Sequence, residues 1–258
     1  MLKELMKNLT RSLGYEIQAP PRAYAAEKTL AGLLSQEEIN LVLDVGANYG
    51  QFADELWALG YTGRLISFEP MAVPHAHLRS KAATHPSWTI ADRTAVGAET
   101  GTVMMHVSEN SVSSSILPML PAHSAAAPQS NYVATEPVPL HRLDDLFACT
   151  SADRLALKID VQGFEGKVLE GAPHILEVCR AVVIEMSLVP LYDGQLLALE
   201  QWDLLAAMGF EAWSLEPGFR DPATGRMLQL DGLFVRKESS PRDTKEQTNP
   251  AFRIRARA

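Results

Sequence analysis

From residue 41 onward, short apolar runs alternate with stretches whose apolar residues recur every three or four positions. This alternation limits the fold more than any other feature of the chain. Residues 41–45, 65–69, 87–90, 155–160 and 181–185 read as buried strands. Between them, Phe52, Leu56 and Leu59 mark one face of a helix ended by Gly60, and residues 71–83 read as a second helix. Leu197, Leu204, Leu205 and Met208 line a later helix that stops at Gly209. Residues 210–215 and 232–235 read as two closing strands, with a turn at residues 221–225 between them. Strands that alternate with helices are joined by crossovers, which run neighbouring strands parallel and cover both faces of the sheet. The expected class is α/β, with a doubly wound, mainly parallel sheet. Residues 102–140 break the rhythm. Ser111, Ser113, Ser114 and Ser115 precede a run rich in Pro, Ala and Ser, which reads as a strand pair joined by a long loop. Long loops inside compact domains are commonly lids or substrate loops.

The two ends lie outside this pattern. Leu2, Leu5, Met6, Leu9 and Leu13 recur at helical spacing and residues 24–35 read as helical again, so residues 1–36 are expected to form a helical extension. From Lys237 the chain carries six basic and three acidic residues and few apolar ones, so residues 238–258 are expected to be a disordered basic tail. Residues 37–237 remain as one domain. With 31 acidic against 23 basic residues the formal net charge is −8, which gives no general attraction to nucleic acid or to an anionic membrane. No apolar run approaches the ~20 residues that span a bilayer. The first residues mix charges with leucines and lack the apolar core of a secretory signal. Two cysteines, Cys149 and Cys179, fall short of a disulfide framework or a multi-cysteine zinc site. These features point to the cytoplasm and leave self-association open.

The first chemical signal is Asp44-Val45-Gly46-Ala47-Asn48-Tyr49-Gly50, which follows the first strand and opens the first helix of the alternating region. Gly46 and Gly50 allow a tight turn and a close approach to a ligand. The helix start presents free backbone N–H groups, and Asp44 at the strand end can accept hydrogen bonds from an ammonium or hydroxyl. The dinucleotide fingerprint G-x-G-x-x-G brings a pyrophosphate to such a turn. Here Asn48 stands where that pattern has its second glycine, and an adjacent carboxylate would repel phosphate. The turn therefore favours a cationic or zwitterionic ligand, such as the methionyl end of S-adenosylmethionine, over NAD. A glycine turn also serves simply to pack strand against helix, and the turn alone leaves both readings open. Glu69, at the end of the second strand, is placed to accept both ribose hydroxyls of an adenosine cofactor. That acid in that place raises the cofactor reading above a surface carboxylate capping the next helix.

Taken with Phe68-Glu69-Pro70, with residues 158–165 (Lys-Ile-Asp-Val-Gln-Gly-Phe-Glu), with Val168-Leu169 and Gly171-Ala172, and with Val183-Ile184-Glu185 and Leu191-Tyr192, the turn resembles the FkbM-type methyltransferases over about residues 41–236. The resemblance implies a seven-stranded sheet with one antiparallel strand, the class I methyltransferase fold. It implies S-adenosylmethionine as methyl donor and O-methylation of a hydroxyl on a glycan, a nodulation-type oligosaccharide or a polyketide. Carried over position by position, Asp44, Gly46, Asn48 and Gly50 would surround the methionine part. Glu69, beside Pro70, would hold the ribose, and residues 92–95, with Thr94 and Ala95, would lie near adenine.

The second signal is the strand ending at Asp160. Leu155, Leu157 and Ile159 point to one face, while Ala156, Lys158 and Asp160 point to the other. A lysine inside a buried strand needs a partner, so Lys158 is expected close to Glu185 or Asp160. Asp44, Glu69, Asp160 and Glu185 all fall at the carboxyl ends of strands, where open α/β sheets bind ligands. Methyl transfer to an alcohol gains from a general base. Asp160 is the first candidate, as base or substrate contact, and equally reads as a ligand of the methionine part; Glu185 and His141 follow. A lone histidine such as His141 is more often a hydrogen-bonded structural residue. Glu165 reads either as a helix cap or as a substrate contact. His75 and His77 sit two apart on a helix and diverge, and Asp144-Asp145 reads as a helix start, so no metal is expected. The competing functions are an NAD(P)-dependent oxidoreductase or epimerase of a sugar, and a non-catalytic S-adenosylmethionine-binding module. The absent G-x-G-x-x-G and the lack of a convincing Tyr-x-x-x-Lys pair count against the first, the intact acids against the second.

Overall fold

The computed structural model describes residues 26–237. The expected first helix, within residues 1–13, and the expected tail, 238–258, lie outside the described residues. The elements run α1 (Ala26–Gln36), β1 (Leu41–Val45), α2 (Gln51–Ala58), β2 (Arg64–Phe68), α3 (Ala72–Ala82) and β3 (Trp88–Ile90). Then come β4 (Ala95–Val96), β5 (Gly101–Ser108), α4 (Pro121–Ala126), β6 (Tyr132–His141), α5 (Leu143–Leu146) and β7 (Leu155–Ile159). The chain closes with α6 (Glu165–Glu170), α7 (Pro173–Val178), β8 (Ala181–Ser187), α8 (Ala198–Ala207), β9 (Phe210–Pro217) and β10 (Gln229–Arg236).

Seven strands form one sheet in the order β3-β2-β1-β7-β8-β10-β9. Its first five strands run parallel, and β10 runs antiparallel to both β8 and β9. The period-2 pattern read along residues 155–160 decides which side chain meets which layer. Leu155, Leu157 and Ile159 enter a cluster with Val168, Ile175 and Leu205 from α6, α7 and α8. Ala156 enters the opposite cluster, with Leu33, Leu56 and Leu78 from α1, α2 and α3. Apolar burial on both faces is the main stabilisation of such a sheet.

Residues 102–140 form the expected strand pair, with β5 and β6 antiparallel over eight paired positions. A short strand adds to it: β4, only two residues long, pairs parallel with the end of β6 and makes a separate three-stranded sheet. Two residues show no periodicity, so this strand had no sequence signature. The loop between β5 and β6 is tied to the main domain. Leu120 N–H donates to Leu191 O at 2.8 Å, Ser111 Oγ donates to Asn48 Oδ1 at 3.1 Å and Ser115 Oγ donates to Gln162 O at 2.6 Å. The serine run is thus a strap across the carboxyl ends of the strands, clipped to the turns after β1 and β7.

Candidate functional site

The turn after β1 is built on left-handed backbone: φ is 84° at Gly46, 46° at Asn48 and 84° at Gly50. Gly46 N–H donates to Phe68 O at 3.1 Å, which draws the turn toward β2. A Cβ on Gly46 would stand 1.8 Å from the carbonyl oxygen of Asp160, so the glycine lets the ends of β1 and β7 meet. A Cβ on Gly50, the N-cap of α2, would stand 2.8 Å from the Trp88 ring. Both glycines therefore have a packing role whatever else the turn holds.

Asp44 and Lys158 face each other across β1 and β7 in register. Asp44 is fully buried, with Lys158 Nζ 3.3 Å from Oδ1 and the Ser67 hydroxyl donating to Oδ2 at 3.0 Å. Trp88 Nε1 donates to Ser67 Oγ at 3.0 Å, so a polar chain crosses the sheet from β3 to β7. Burial pushes the Asp44 carboxyl up, against the pull of Lys158 and Ser67. Burial also opposes the Lys158 charge, but the Asp160 and Asp44 carboxylates outweigh it and hold the ammonium well above its usual range. Lys158 Nζ lies 3.6 Å from Asp160 Oδ2 as expected, and it donates to Gly46 O at 3.2 Å. Its pairing with Asp44 was not read from the sequence.

A cavity of about 420 Å³ opens at these strand ends. Gly46, Ala47 and Asn48, then Glu69, Pro70 and Met71, then Thr94, Ala95 and Val96 form one wall. Ser111, Val112 and Ser114 of the strap line it as well, as do Lys158, Asp160 and Gln162. Leu30 and Phe52 from the helices, with Val183, Glu216, Asp231 and Leu233 from the strands, also line it. Asp231 pairs in register with Glu185 on one side and Glu216 on the other. Burial, with Asp160 adding to it, pushes the Asp231 carboxyl up to about 6. Glu216 and Asp231 were missed in the sequence; the available signal was an acid at each strand end of the closing pair.

Glu69 is 2% exposed and holds two backbone amides, from Asn48 to Oε2 at 2.7 Å and from Met71 to Oε1 at 2.8 Å. Burial pushes it up to about 7 although those donors pull it down. Asp160 is half-exposed on the cavity wall, with Gln162 Nε2 donating to Oδ1 at 2.9 Å.

The structure does not bring every candidate to the cavity. Asp44 lies beneath it, behind Lys158, and Gly50 packs on Trp88. Glu185 is held back by two amides, from Gln162 at 2.8 Å and Gln229 at 2.7 Å. His141 ends β6 with its Nδ1 2.9 Å from the Thr94 hydroxyl. Glu165 opens α6 but staples the preceding turn, accepting from Val161 N–H and Gly163 N–H at 3.1 Å each. Asp144 accepts from His174 N–H and Ile175 N–H at the start of α7. His75 bonds Ala91 O, while His77 lies edge-on to Tyr49. Among the described residues no group of three or more His, Cys, Asp and Glu is placed to hold a metal ion.

This strand order, its one antiparallel strand and a glycine turn followed by an acid at the strand ends define a class I S-adenosylmethionine-dependent methyltransferase. The sequence matches the family model described as the methyltransferase FkbM domain over residues 44–212, and the chain belongs to that family. Its cofactor is S-adenosylmethionine, and the carboxylates with the exposed turn backbone on the cavity wall suit a cationic sulfur compound with a ribose. Membership in the family decides against the oxidoreductase alternative. No curated protein matches the sequence. Among solved structures, the chain is similar to a 1,6-didemethyltoxoflavin-N1-methyltransferase from Burkholderia thailandensis with bound S-adenosylhomocysteine (11% identity, 91% of this chain and 85% of that one, TM-score 0.45). It is also similar to an rRNA methylase from Streptococcus thermophilus (9% identity, 86% and 99%, TM-score 0.45). A third is TehB from Haemophilus influenzae (12% identity, 90% and 67%, TM-score 0.43). No described helix is long and apolar enough to cross a membrane.

Proposed function

We propose that the protein methylates a hydroxyl on a glycan or polyketide-type acceptor, with Asp160 as the general base. The observation that carries this reading is the Asp160 carboxylate. It lies on the cavity wall next to the glycine turn, with 39% of its side chain accessible. S-adenosylmethionine brings a methyl group already activated for displacement. The work left to the chain is to seat the acceptor oxygen in line at ~3 Å and to take its proton. Lys158 and Gln162 each hold one oxygen of Asp160. A carboxylate accepts at about four positions, so sites remain for the acceptor hydroxyl. Glu185, screened by its two amides, and His141, engaged with Thr94, are less well placed.

The remainder of the lining supports a polyhydroxylated acceptor. Glu216 and Asp231 can accept from hydroxyls, and Leu30, Phe52, Val183 and Leu233 offer an apolar flank. Acidic walls and a net charge of −8 disfavour a phosphate backbone. The test is a screen with isotope-labelled methyl donor against neutral glycans, polyketide alcohols and RNA. Label recovered in an ether-linked methyl supports the reading; label confined to RNA, or to nitrogen, overturns it.

Glu69 is proposed to hold the ribose, and its raised carboxyl gives this a pH signature. Both oxygens already accept an amide, and the ionised form keeps further acceptor sites for two hydroxyls. Ribose binding then favours the ionised carboxylate, so affinity for S-adenosylhomocysteine is expected to fall roughly tenfold per pH unit below about 7 and to level off above it. Glu69→Gln should weaken binding and flatten that dependence, as calorimetric titration from pH 5 to 8 would show. The same shift runs the other way for folding. A carboxyl raised from 4.5 to about 7 in the folded state binds its proton more tightly there, so its contribution to stability is lost as pH rises through that window.

A further inference from the structure

We infer that Gln162 is a positioning residue, whose carboxamide keeps the Asp160 and Glu185 carboxylates apart and holds Asp160 toward the cavity. Gln162 lies in the turn between β7 and α6 with φ 54°, a left-handed conformation that residues other than glycine adopt infrequently. Gly163 follows at φ 97°, and a Cβ there would stand 2.9 Å from Tyr192 Cβ, so the turn is pressed against that tyrosine. Strained backbone persists where surrounding contacts over-determine it, and here the side chain supplies them. Nε2 donates to Asp160 Oδ1 at 2.9 Å and to Glu185 Oε2 at 2.8 Å. Oε1 accepts from the Tyr192 hydroxyl at 2.8 Å. With Nε2 toward the two carboxyl groups and Oε1 toward the Tyr192 hydroxyl, which also reaches Ser113 O at 3.2 Å, one orientation of the amide meets all three partners.

The charges around Glu185 give the spacer its effect. Glu185 faces Lys158 on β7 and Asp160 just after it, Glu165 on α6, Tyr192 in the loop after β8 and Asp231 on β10. It makes no ion pair with a described residue. Burial pushes its carboxyl well above the usual range, and Asp160, Glu165 and Asp231 push the same way, while the Gln162 donor pulls back. Without that donor Glu185 keeps only the Gln229 amide at 2.7 Å, Asp160 loses its bond to the carboxamide, and the pair retains a proton to higher pH. The catalytic meaning rests on the proposal that Asp160 is the base; the spacer role does not.

The test is carbon-13 NMR of the full chain labelled at the glutamate side-chain carboxyl, with the Glu185 resonance assigned by its loss in Glu185→Gln. Gln162→Leu is expected to raise the Glu185 midpoint by about one pH unit, and adding Asp160→Asn to that variant should bring it back. A side chain that merely fills the turn gives no shift in Gln162→Leu, or a shift that Asp160→Asn leaves in place; either result overturns the inference. Asp160→Asn in the otherwise unaltered chain reads the same coupling should Gln162→Leu not fold: the Glu185 midpoint falls if the acids communicate, and an unmoved midpoint overturns the inference. No methyl transfer in the acceptor screen, with the titrations behaving as expected, removes the role of Asp160 as base and leaves the spacer standing.

Discussion

Asp160→Asn is expected to slow methyl transfer by about 10²–10⁴-fold, the range a positioned general base contributes, while changing the affinity for S-adenosylhomocysteine only a few-fold. The substitution keeps the size of the side chain and removes the charge. Lys158 retains Asp44 at 3.3 Å and the Gly46 carbonyl at 3.2 Å, so the ammonium is not stranded. Gln162 loses a carboxylate partner but keeps Glu185 and Tyr192. What disappears is the proton acceptor on the cavity wall. Single-turnover transfer from labelled donor, beside calorimetric titration with S-adenosylhomocysteine, separates the two readings of this residue. A base shows in the rate and spares binding. A ligand of the methionine part shows the reverse, and a large loss of affinity with little loss of rate would move Asp160 out of the chemistry and into cofactor recognition.

How much of this arrangement the sequence disclosed follows from the physics of each element. Strands buried on both faces read as apolar runs, so β1 stands where residues 41–45 put it and the two faces of β7 were assigned residue by residue. Acids at strand ends were equally legible, because the carboxyl edge of a parallel sheet is where ligands bind. The pairing of Lys158 with Asp44 was not. Those residues are 114 positions apart and meet only through the register of β1 against β7, which no local pattern encodes. Lys158 demanded a partner by being a cation in a buried strand; Glu185 and Asp160 were the acids named, and of these Asp160 lies within ion-pair distance. Gln162, Tyr192 and Ser115 were seen only as members of longer motifs, and their contacts with one another were not read, for a different cause. Neutral polar side chains carry neither charge nor periodicity, and their importance shows only once the two turns and the strap converge. The place of His141 follows from β4: its pairing with the end of β6 sets the imidazole against Thr94, so that Thr94 and not His141 lines the cavity.

The buried pair also predicts the largest effect on stability. Lys158→Met removes the cation that neutralises Asp44, a carboxylate with no solvent exposure. Breaking one partner of a buried ion pair costs about 3–5 kcal/mol, because the remaining charge is left without compensation. Ser67 still donates to Oδ2, but a hydroxyl does not replace an ammonium 3.3 Å from Oδ1. The Lys158 ammonium is held well above its usual range, so on the alkaline side the pair is lost only as that ammonium titrates, while on the acid side it is lost as Asp44, whose carboxyl burial pushes up, takes a proton. Urea unfolding of the full chain at pH 7 measures the loss directly. The companion variant, Lys158→Met with Asp44→Asn, removes both charges and is expected to recover much of the stability, since an uncharged pair in the same space carries no desolvated ion. A double variant no more stable than Lys158→Met alone would mean that the lysine acts through its packing over Phe52, whose ring centroid lies 5.6 Å from Nζ, rather than through charge. With the expected recovery, Asp44 becomes a structural member of the site: it anchors Lys158, and Lys158 in turn anchors the turn carbonyl and the carboxylate that face the cavity.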